Sequence, residues 1–373
     1  MSVPVNRGPL GFGLMRLPRK ALGIDLAATC RMVDRFLEAG YTYFDTAHIY
    51  VGSEEAARKA LVERHPRDSF TLTTKLHAGM ALTEKAAKKQ LETSLKRTGA
   101  GYFDYYLLHS VMESNAAKYD RYGLWDFVHE QQARGLIREY GFSFHGGPAL
   151  LDKLLTEHPD AAFVQLQINY ADWENPSVQA RTNYEVARRH RKPVVIMEPV
   201  KGGALAAPPE AVRRLLQEAD PGASCAAWAL RFAASLDGVL AVLSGMSTHE
   251  QLEDNLATMT HFRPLDSREQ QVIQQAQRLL GHSAAIPCTG CGYCAGGCPK
   301  SIPIPTLFAA ANKQLVSGRQ AEARAAYAAA IAPGPRAADC IGCKQCETAC
   351  PQHLPIPKLL AQCASQFEAD KQT

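Results

Sequence analysis

Four cysteines spaced C-x2-C-x2-C-x3-C-P occur twice in this chain, and few sequence patterns restrict folding so tightly. Cys288, Cys291, Cys294 and Cys298 precede Pro299, and Cys340, Cys343, Cys346 and Cys350 precede Pro351. Three cysteines within seven residues force a tight loop, one able to wrap three corners of a cubane metal cluster while a fourth thiolate comes from elsewhere. Gly290, Gly292, Gly296, Gly297 and Gly342 suit a loop whose amides turn inward. Pro299 and Pro351 stop a helix from running through the last ligand. Of eleven cysteines, nine lie beyond residue 287. Such clustering at fixed short spacings in a cytosolic chain points to metal rather than to disulfides. Zinc sites draw two C-x2-C pairs from separate segments, so two copies of the tighter run favour two four-iron clusters over zinc. Cys363 lies beyond the repeat and is read, with Cys30 and Cys225, as a buried structural thiol.

The chain has 373 residues, enough for two domains, and a formal net charge of +4 spread along its length. That charge is too weak and scattered to indicate nucleic acid or an anionic membrane as partner. No apolar run has bilayer length, and Met1 to Leu10 has no apolar stretch of the secretory kind. The expectation is a cytoplasmic protein with no membrane contact.

From about Leu10 to His261, short β-rich runs alternate with amphipathic helical stretches. The candidate strands are Leu10–Leu17, Tyr41–Ala47, Phe70–Leu76, Phe103–His109, Ile137–Ser143, Ala162–Asn169, Pro193–Pro199 and Val239–Gly245. Helical patterns include Leu26–Ala39, Glu54–Arg64, Glu84–Thr98, Leu124–Arg134, Val178–His190 and Ala223–Ala234. Eight such strands over about 250 residues predict an α/β fold, a (β/α)8 TIM barrel. Periodicity alone leaves an open doubly wound sheet standing, but no G-x-G-x-x-G follows the first strand. The expected order is a barrel over residues 1–265, a connecting helix over 266–285 opened by a Ser267/Gln270 capping box, and a small, mainly helical iron-sulfur domain over 286–373. Within the last, Ile286 through Pro305 is echoed by Cys340 through Pro357. The copies are separated by helices near Leu307–Ser317 and Gln320–Ile331, the second stopped by Pro333-Gly334-Pro335.

Residues 286–358 resemble the bacterial-type two-cluster ferredoxins. The long helical gap between Cys298 and Cys340 is closer to the ferredoxin modules appended to larger redox enzymes. This resemblance implies two 4Fe-4S clusters with crossed ligation. Cys288, Cys291, Cys294 and Cys350 would hold one, and Cys340, Cys343, Cys346 and Cys298 the other.

Four polar residues fall at or just past candidate strand ends: Asp45, Tyr50, Lys75 and His109. In a parallel barrel those ends open on one face, where chemistry takes place. A tyrosine hydroxyl has a pKa of about 10. A neighbouring ammonium favours its phenolate, an aspartate holds the lysine, and a histidine can orient a carbonyl. Singly, each residue fits a structural role; together, at successive strand ends, they point to proton transfer. His48, His77 and His145 are read as loop residues, with a pocket role as the minority reading. Trp125 and Trp173 fit pocket wall or packing equally well.

The stretch Phe44-Asp45-Thr46-Ala47-His48-Ile49-Tyr50-Val51-Gly52-Ser53-Glu54, with the Lys75 and His109 strands, resembles the aldo-keto reductases over about residues 8–262. The resemblance implies Tyr50 as proton donor, Lys75 and Asp45 as its tuning pair, His109 as carbonyl-polarising residue, and a nicotinamide cofactor, NAD(P)H, across the barrel mouth. Ser143 and Gln165 match carboxamide contacts, while Phe144 stands where asparagine is usual. No aromatic residue occurs in Ile196-Met197-Glu198-Pro199 to stack on the ring. Gly245, Ser247, Gln251 and Asn255 fall in the phosphate segment, which lacks the basic groups near Gly245 and Gln251 that favour NADPH. Backbone amides and the start of the following helix remain as phosphate ligands.

Three functions fit. The first is an iron-sulfur oxidoreductase reducing a carbonyl or oxidising an alcohol, its electrons exchanged through the clusters with a ferredoxin or other electron-transfer partner. The second is an NAD(P)H-dependent carbonyl reductase with structural or redox-sensing clusters. The third is a non-catalytic binding or electron-transfer module. Clusters pass single electrons and nicotinamide passes hydride; a flavin normally mediates, and the sequence neither requires nor excludes one.

Overall fold

The computed structural model describes residues 6–21, 23–281, 284–332 and 334–368. Pro333, read as part of a helix stop, lies outside the described residues. By contact density the chain forms two units. The first comprises residues 1–175, 179–199 and 226–266, the second residues 176–178, 200–225 and 267–373.

The first unit is a closed barrel of eight parallel strands: β1 (Leu10–Gly13), β2 (Tyr43–Asp45), β3 (Thr71–Leu76), β4 (Phe103–Val111), β5 (Ile137–Phe144), β6 (Phe163–Gln167), β7 (Val194–Met197) and β8 (Val239–Ser244). Each strand pairs with the next, and β1 pairs with both β2 and β8, which excludes the open sheet. The first strand is shorter than Leu10–Leu17. It ends at Gly13, a 3-10 turn over Leu14–Arg16 follows, and Arg19–Lys20 then pairs antiparallel with Gly23–Ile24. Pro18 has no N–H to extend a ladder.

Inside the barrel, Tyr43, Leu107, Phe163, Val195, Ala241 and Leu243 form one buried cluster. Gly11 makes room for it, since a Cβ there would lie 2.7 Å from Leu243 Cδ2 and 3.2 Å from Tyr43 Cδ1. Outside, the helix Leu26–Glu38 is capped by Asp25, whose carboxylate accepts from Ala28 N. It buries Thr29, Met32, Val33 and Phe36, the i, i+3, i+4, i+7 stripe of an amphipathic helix. Cys30 lies off this stripe and is partly exposed, not buried; Cys225 and Cys363 are buried.

In the second unit, the helix Glu210–Ala219 packs on the helix Ser267–Gly281. Beyond them, the sequence repeat is also a structural repeat. Ser301 and His353, each three residues past the last cysteine of its run, adopt the left-handed φ of 51°. Their amides donate to Cys298 O and Cys350 O at 2.9 and 3.0 Å. Helices then start at Ile304 and Ile356, each with Pro in its first turn, where a missing N–H costs no intrahelical bond. Ile302, Leu307, Phe308, Leu354, Leu360 and Tyr327 lie in the shared core. Among the described residues, no helix is long and apolar enough to cross a membrane.

The opening of β4 carries a buried charge. Asp104, fully inaccessible, accepts from Arg67 Nη2 at 2.7 Å, Arg138 Nη1 at 2.9 Å and Leu72 N at 2.9 Å. This is the N-terminal rim of the barrel, where such networks support stability rather than chemistry. Replacing Asp104 by Ala strands two partly buried guanidinium groups. The expected loss is about 3 kcal/mol of unfolding free energy in a denaturant titration.

Candidate functional site

Strand register brings the polar residues of the barrel mouth together. Asp45 ends β2 opposite Thr73 of β3, and Lys75 of β3 lies opposite Leu107 of β4, two residues before His109. Lys75 is 1% exposed, and its Nζ donates to Asp45 Oδ1 at 2.5 Å and to Thr46 O at 2.7 Å. The same Nζ is 5.2 Å from the centroid of the Tyr50 ring. Tyr50 meets His109 edge-to-face at 5.7 Å between centroids, and His109 meets His77 at 5.3 Å. All four sequence-selected residues therefore converge.

The Tyr50 loop is fixed at both ends. Tyr50 N donates to Ala47 O at 3.0 Å, and Ser53 N donates to Tyr50 O at 3.0 Å. Ser53 Oγ donates to Leu14 O at 2.9 Å, and Glu54 accepts from Thr74 Oγ1 at 2.8 Å and Arg97 Nη1 at 3.3 Å. Burial pushes the Lys75 ammonium below its usual pKa and the Asp45 carboxyl above its own, each opposed by the other's charge. Burial, then His77, Lys75 and His145, holds His109 well below the usual imidazole range. Burial pushes His77 and His48 down to about 4. These imidazoles are neutral near pH 7, so His109 can offer an N–H to a carbonyl oxygen without carrying charge. His77, read as a loop residue with a pocket role as the minority reading, follows β3 directly and lies against His109.

The expected cofactor contacts divide. Ser143 Oγ accepts from Ser110 N at 2.7 Å, and Gln165 Nε2 donates to Asp45 Oδ2 at 3.4 Å. Asn255 Nδ2 donates to Ser244 Oγ at 2.8 Å, tying its helix to the end of β8. Ser247 N donates to Gln251 Oε1 at 2.7 Å. Gly245 borders a basic residue that its own segment lacks. Arg16 Cδ lies 3.2 Å from where a Gly245 Cβ would sit, and Ser247 Oγ donates to Arg16 O at 2.6 Å. Arg16 Nη2 also meets Glu198 Oε1 at 3.4 Å. Glu198 has a φ of 56°, and its carbonyl accepts from Asn169 Nδ2 at 3.1 Å. Asn169 is itself held by buried Asp172, at 2.8 Å. A strained residue fixed this firmly belongs to the kind found at functional sites. Only the common face of β-strand ends links Arg16 with Gly245; nothing local in sequence does.

The cysteines surround two cavities in the second unit. Cys288, Cys291, Cys294 and Cys350 line one. Cys298, Cys340, Cys343 and Cys346 line the other. Burial, then Cys291, Cys288 and Cys350, pushes the Cys294 thiol up to about 12, and burial pushes Cys346 up to about 11. Four thiols that oppose one another's ionisation form a donor set completed by cationic metal. Among the described residues, no group converges closely enough to hold a single metal ion. Four thiols around each cavity, three of them from one seven-residue loop, fit the ligand set of a multi-iron cluster.

The chain is similar to known proteins in both of its parts. The Aldo/keto reductase family matches residues 9–278, and the 4Fe-4S dicluster domain matches residues 287–354. The chain is 41% identical over 109 residues to an aldehyde reductase of Saccharomyces cerevisiae, covering 29% of this chain and 30% of that protein. It is 31% identical over 134 residues to a methylglyoxal reductase of Yersinia pestis, covering 35% and 46%. It thus spans under half the length of either relative. An aldo-keto reductase from Bacillus halodurans in its holo form superimposes with a TM-score of 0.58 at 24% identity, over 74% of this chain and 95% of that one. One from Klebsiella pneumoniae in complex with NADPH gives 0.59 at 21% identity, over 75% and 96%. These likenesses show the fold. The family match spans most of the chain, and a 4Fe-4S dicluster domain follows it: the protein belongs to the aldo/keto reductase family.

Proposed function

We propose that the protein interconverts a small-molecule carbonyl and its alcohol at the barrel mouth, with Tyr50 as proton donor and two 4Fe-4S clusters exchanging the electrons. The convergence of Asp45, Tyr50, Lys75 and His109 on one end of β2, β3 and β4 carries this reading. Reduction of a carbonyl takes two electrons and two protons. Two one-electron clusters would match the electron count; Tyr50 supplies the proton that ends on oxygen, and solvent water supplies the one that ends on carbon. Lys75, held by Asp45, favours the phenolate left behind. Neutral His109 donates to the carbonyl oxygen and orients it for that transfer.

Cys288, Cys291, Cys294 and Cys350 would hold one cluster, and Cys340, Cys343, Cys346 and Cys298 the other. The cluster supplies one-electron redox chemistry when bound. The partner of this exchange is a ferredoxin or another electron carrier.

A second reading, an NAD(P)H-dependent carbonyl reductase, gains support from Arg16. It brings a cation to Gly245, in the segment where Ser247, Gln251 and Asn255 would meet a dinucleotide, with Ser143 and Gln165 on the carboxamide side. Anaerobic purification followed by ultraviolet–visible and electron paramagnetic resonance (EPR) spectra separates the two. Cluster reduction by reduced ferredoxin, coupled to carbonyl turnover, supports the first. Turnover with NADPH or NADH that persists with the clusters poised in either state supports the second and overturns the first.

Two substitutions probe the parts. Tyr50→Phe should lower kcat for carbonyl reduction by about 100-fold or more, the usual worth of a positioned general acid, with substrate binding retained. Cys298→Ser should deplete the cluster of the opposite repeat. Iron would fall from about eight to about four atoms per chain, with the EPR signal of the Cys288 set intact.

A further inference from the structure

We infer that Gly202 is a positioning residue for the cluster held by Cys288, Cys291, Cys294 and Cys350, acting through the peptide between Thr289 and Gly290. The inference rests on the cluster assignment proposed above. Lys201, Gly202 and Gly203 form a turn with three successive left-handed φ values, 49°, 65° and 98°. The turn runs directly against the first cysteine loop. A Cβ on Gly202 would lie 2.7 Å from Thr289 Cα, 2.9 Å from Thr289 C, and closer still to Thr289 O. These are backbone atoms, which cannot swing aside as a side-chain tip can.

Thr289 is 4% exposed and sits between two residues with roles in the loop. Cys288 precedes it as a ligand, and Gly290 follows in the left-handed region, with a φ of 68°. Gly290 N donates to Cys288 Sγ at 3.4 Å. The carbonyl that Gly202 abuts and the amide that reaches this sulfur belong to one planar peptide unit. Pressure on Thr289 O therefore tilts the Gly290 N–H away from Cys288 Sγ. Hydrogen bonds to cluster sulfur are among the determinants of cluster potential. An N–H dipole directed at sulfur favours the reduced, more negative cluster, so its loss shifts the potential downward.

The second repeat lacks this brace among the described residues. Ile341, the counterpart of Thr289, is 61% exposed, where Thr289 is 4% exposed. Nearly identical loops, with φ of 68° at Gly290 and 67° at Gly342, thus differ in what holds the peptide. The turn makes the two clusters inequivalent.

The test compares Gly202→Ala with Gly203→Ala in the full-length holoprotein. A Cβ at Gly203 meets nothing within 4 Å, although its φ of 98° is equally left-handed. It therefore carries the backbone strain without the Thr289 contact. EPR-monitored redox titration should show one of two midpoint potentials shifted negative, or one cluster lost, in Gly202→Ala, with both kept in Gly203→Ala. Identical behaviour of the two variants, equal loss of both clusters, or an unchanged titration overturns the inference. Hydrogen–deuterium exchange of the wild-type holoprotein gives a second readout that does not depend on a variant folding. The Gly290 amide should exchange more slowly than that of Gly342, and equal exchange overturns the inference. A wild-type protein that binds no iron would remove the cluster assignment itself, a result distinct from two intact clusters indifferent to Gly202.

Discussion

A lysine ammonium sealed inside a protein must find its partners there, and in this barrel that requirement fixes the site. Lys75 meets a carboxylate, Asp45, and a carbonyl, Thr46 O, both supplied by the end of the neighbouring strand. A shift of β2 by one residue would turn Asp45 to the other face and leave a buried charge unpaired. The register of β2 and β3 and the position of the Tyr50 loop that follows are therefore one constraint. The ring of Tyr50 lies beside the ammonium because the loop leaves the strand where the ion pair is made.

Much of this was legible in the sequence, for physical reasons. Parallel strands buried on both faces read as apolar runs, and helices covering them read as stripes, so the eight strands emerged in order with modest errors at their ends. The first was too long because Leu14 to Leu17 continues the apolar pattern while the chain is already turning toward Pro18. The tetrad was legible because polar residues at strand ends interrupt otherwise apolar runs. The two cysteine runs were legible because their spacing confines each loop, whereas the crossed grouping came from the resemblance alone.

What escaped the sequence depends on contacts between distant segments. Arg16 and Gly245 are far apart in the chain, and a search for a basic group near Gly245 in its own segment misses a residue delivered by the loop after β1. Asp104 with Arg67 and Arg138 is likewise invisible until three connections meet at one rim. The close approach of Gly202 to Thr289 leaves no compositional trace beyond a pair of glycines. Cys30 carries a smaller lesson: it is helical as expected, but one position away from the buried stripe.

The two cysteine-lined cavities have a consequence for how the protein matures. Each cavity is walled by three cysteines of one repeat and the last cysteine of the other. With that lining, the cluster assignment proposed above would make each four-thiol site depend on both repeats, so iron content would report whether the second repeat had been made and folded against the first.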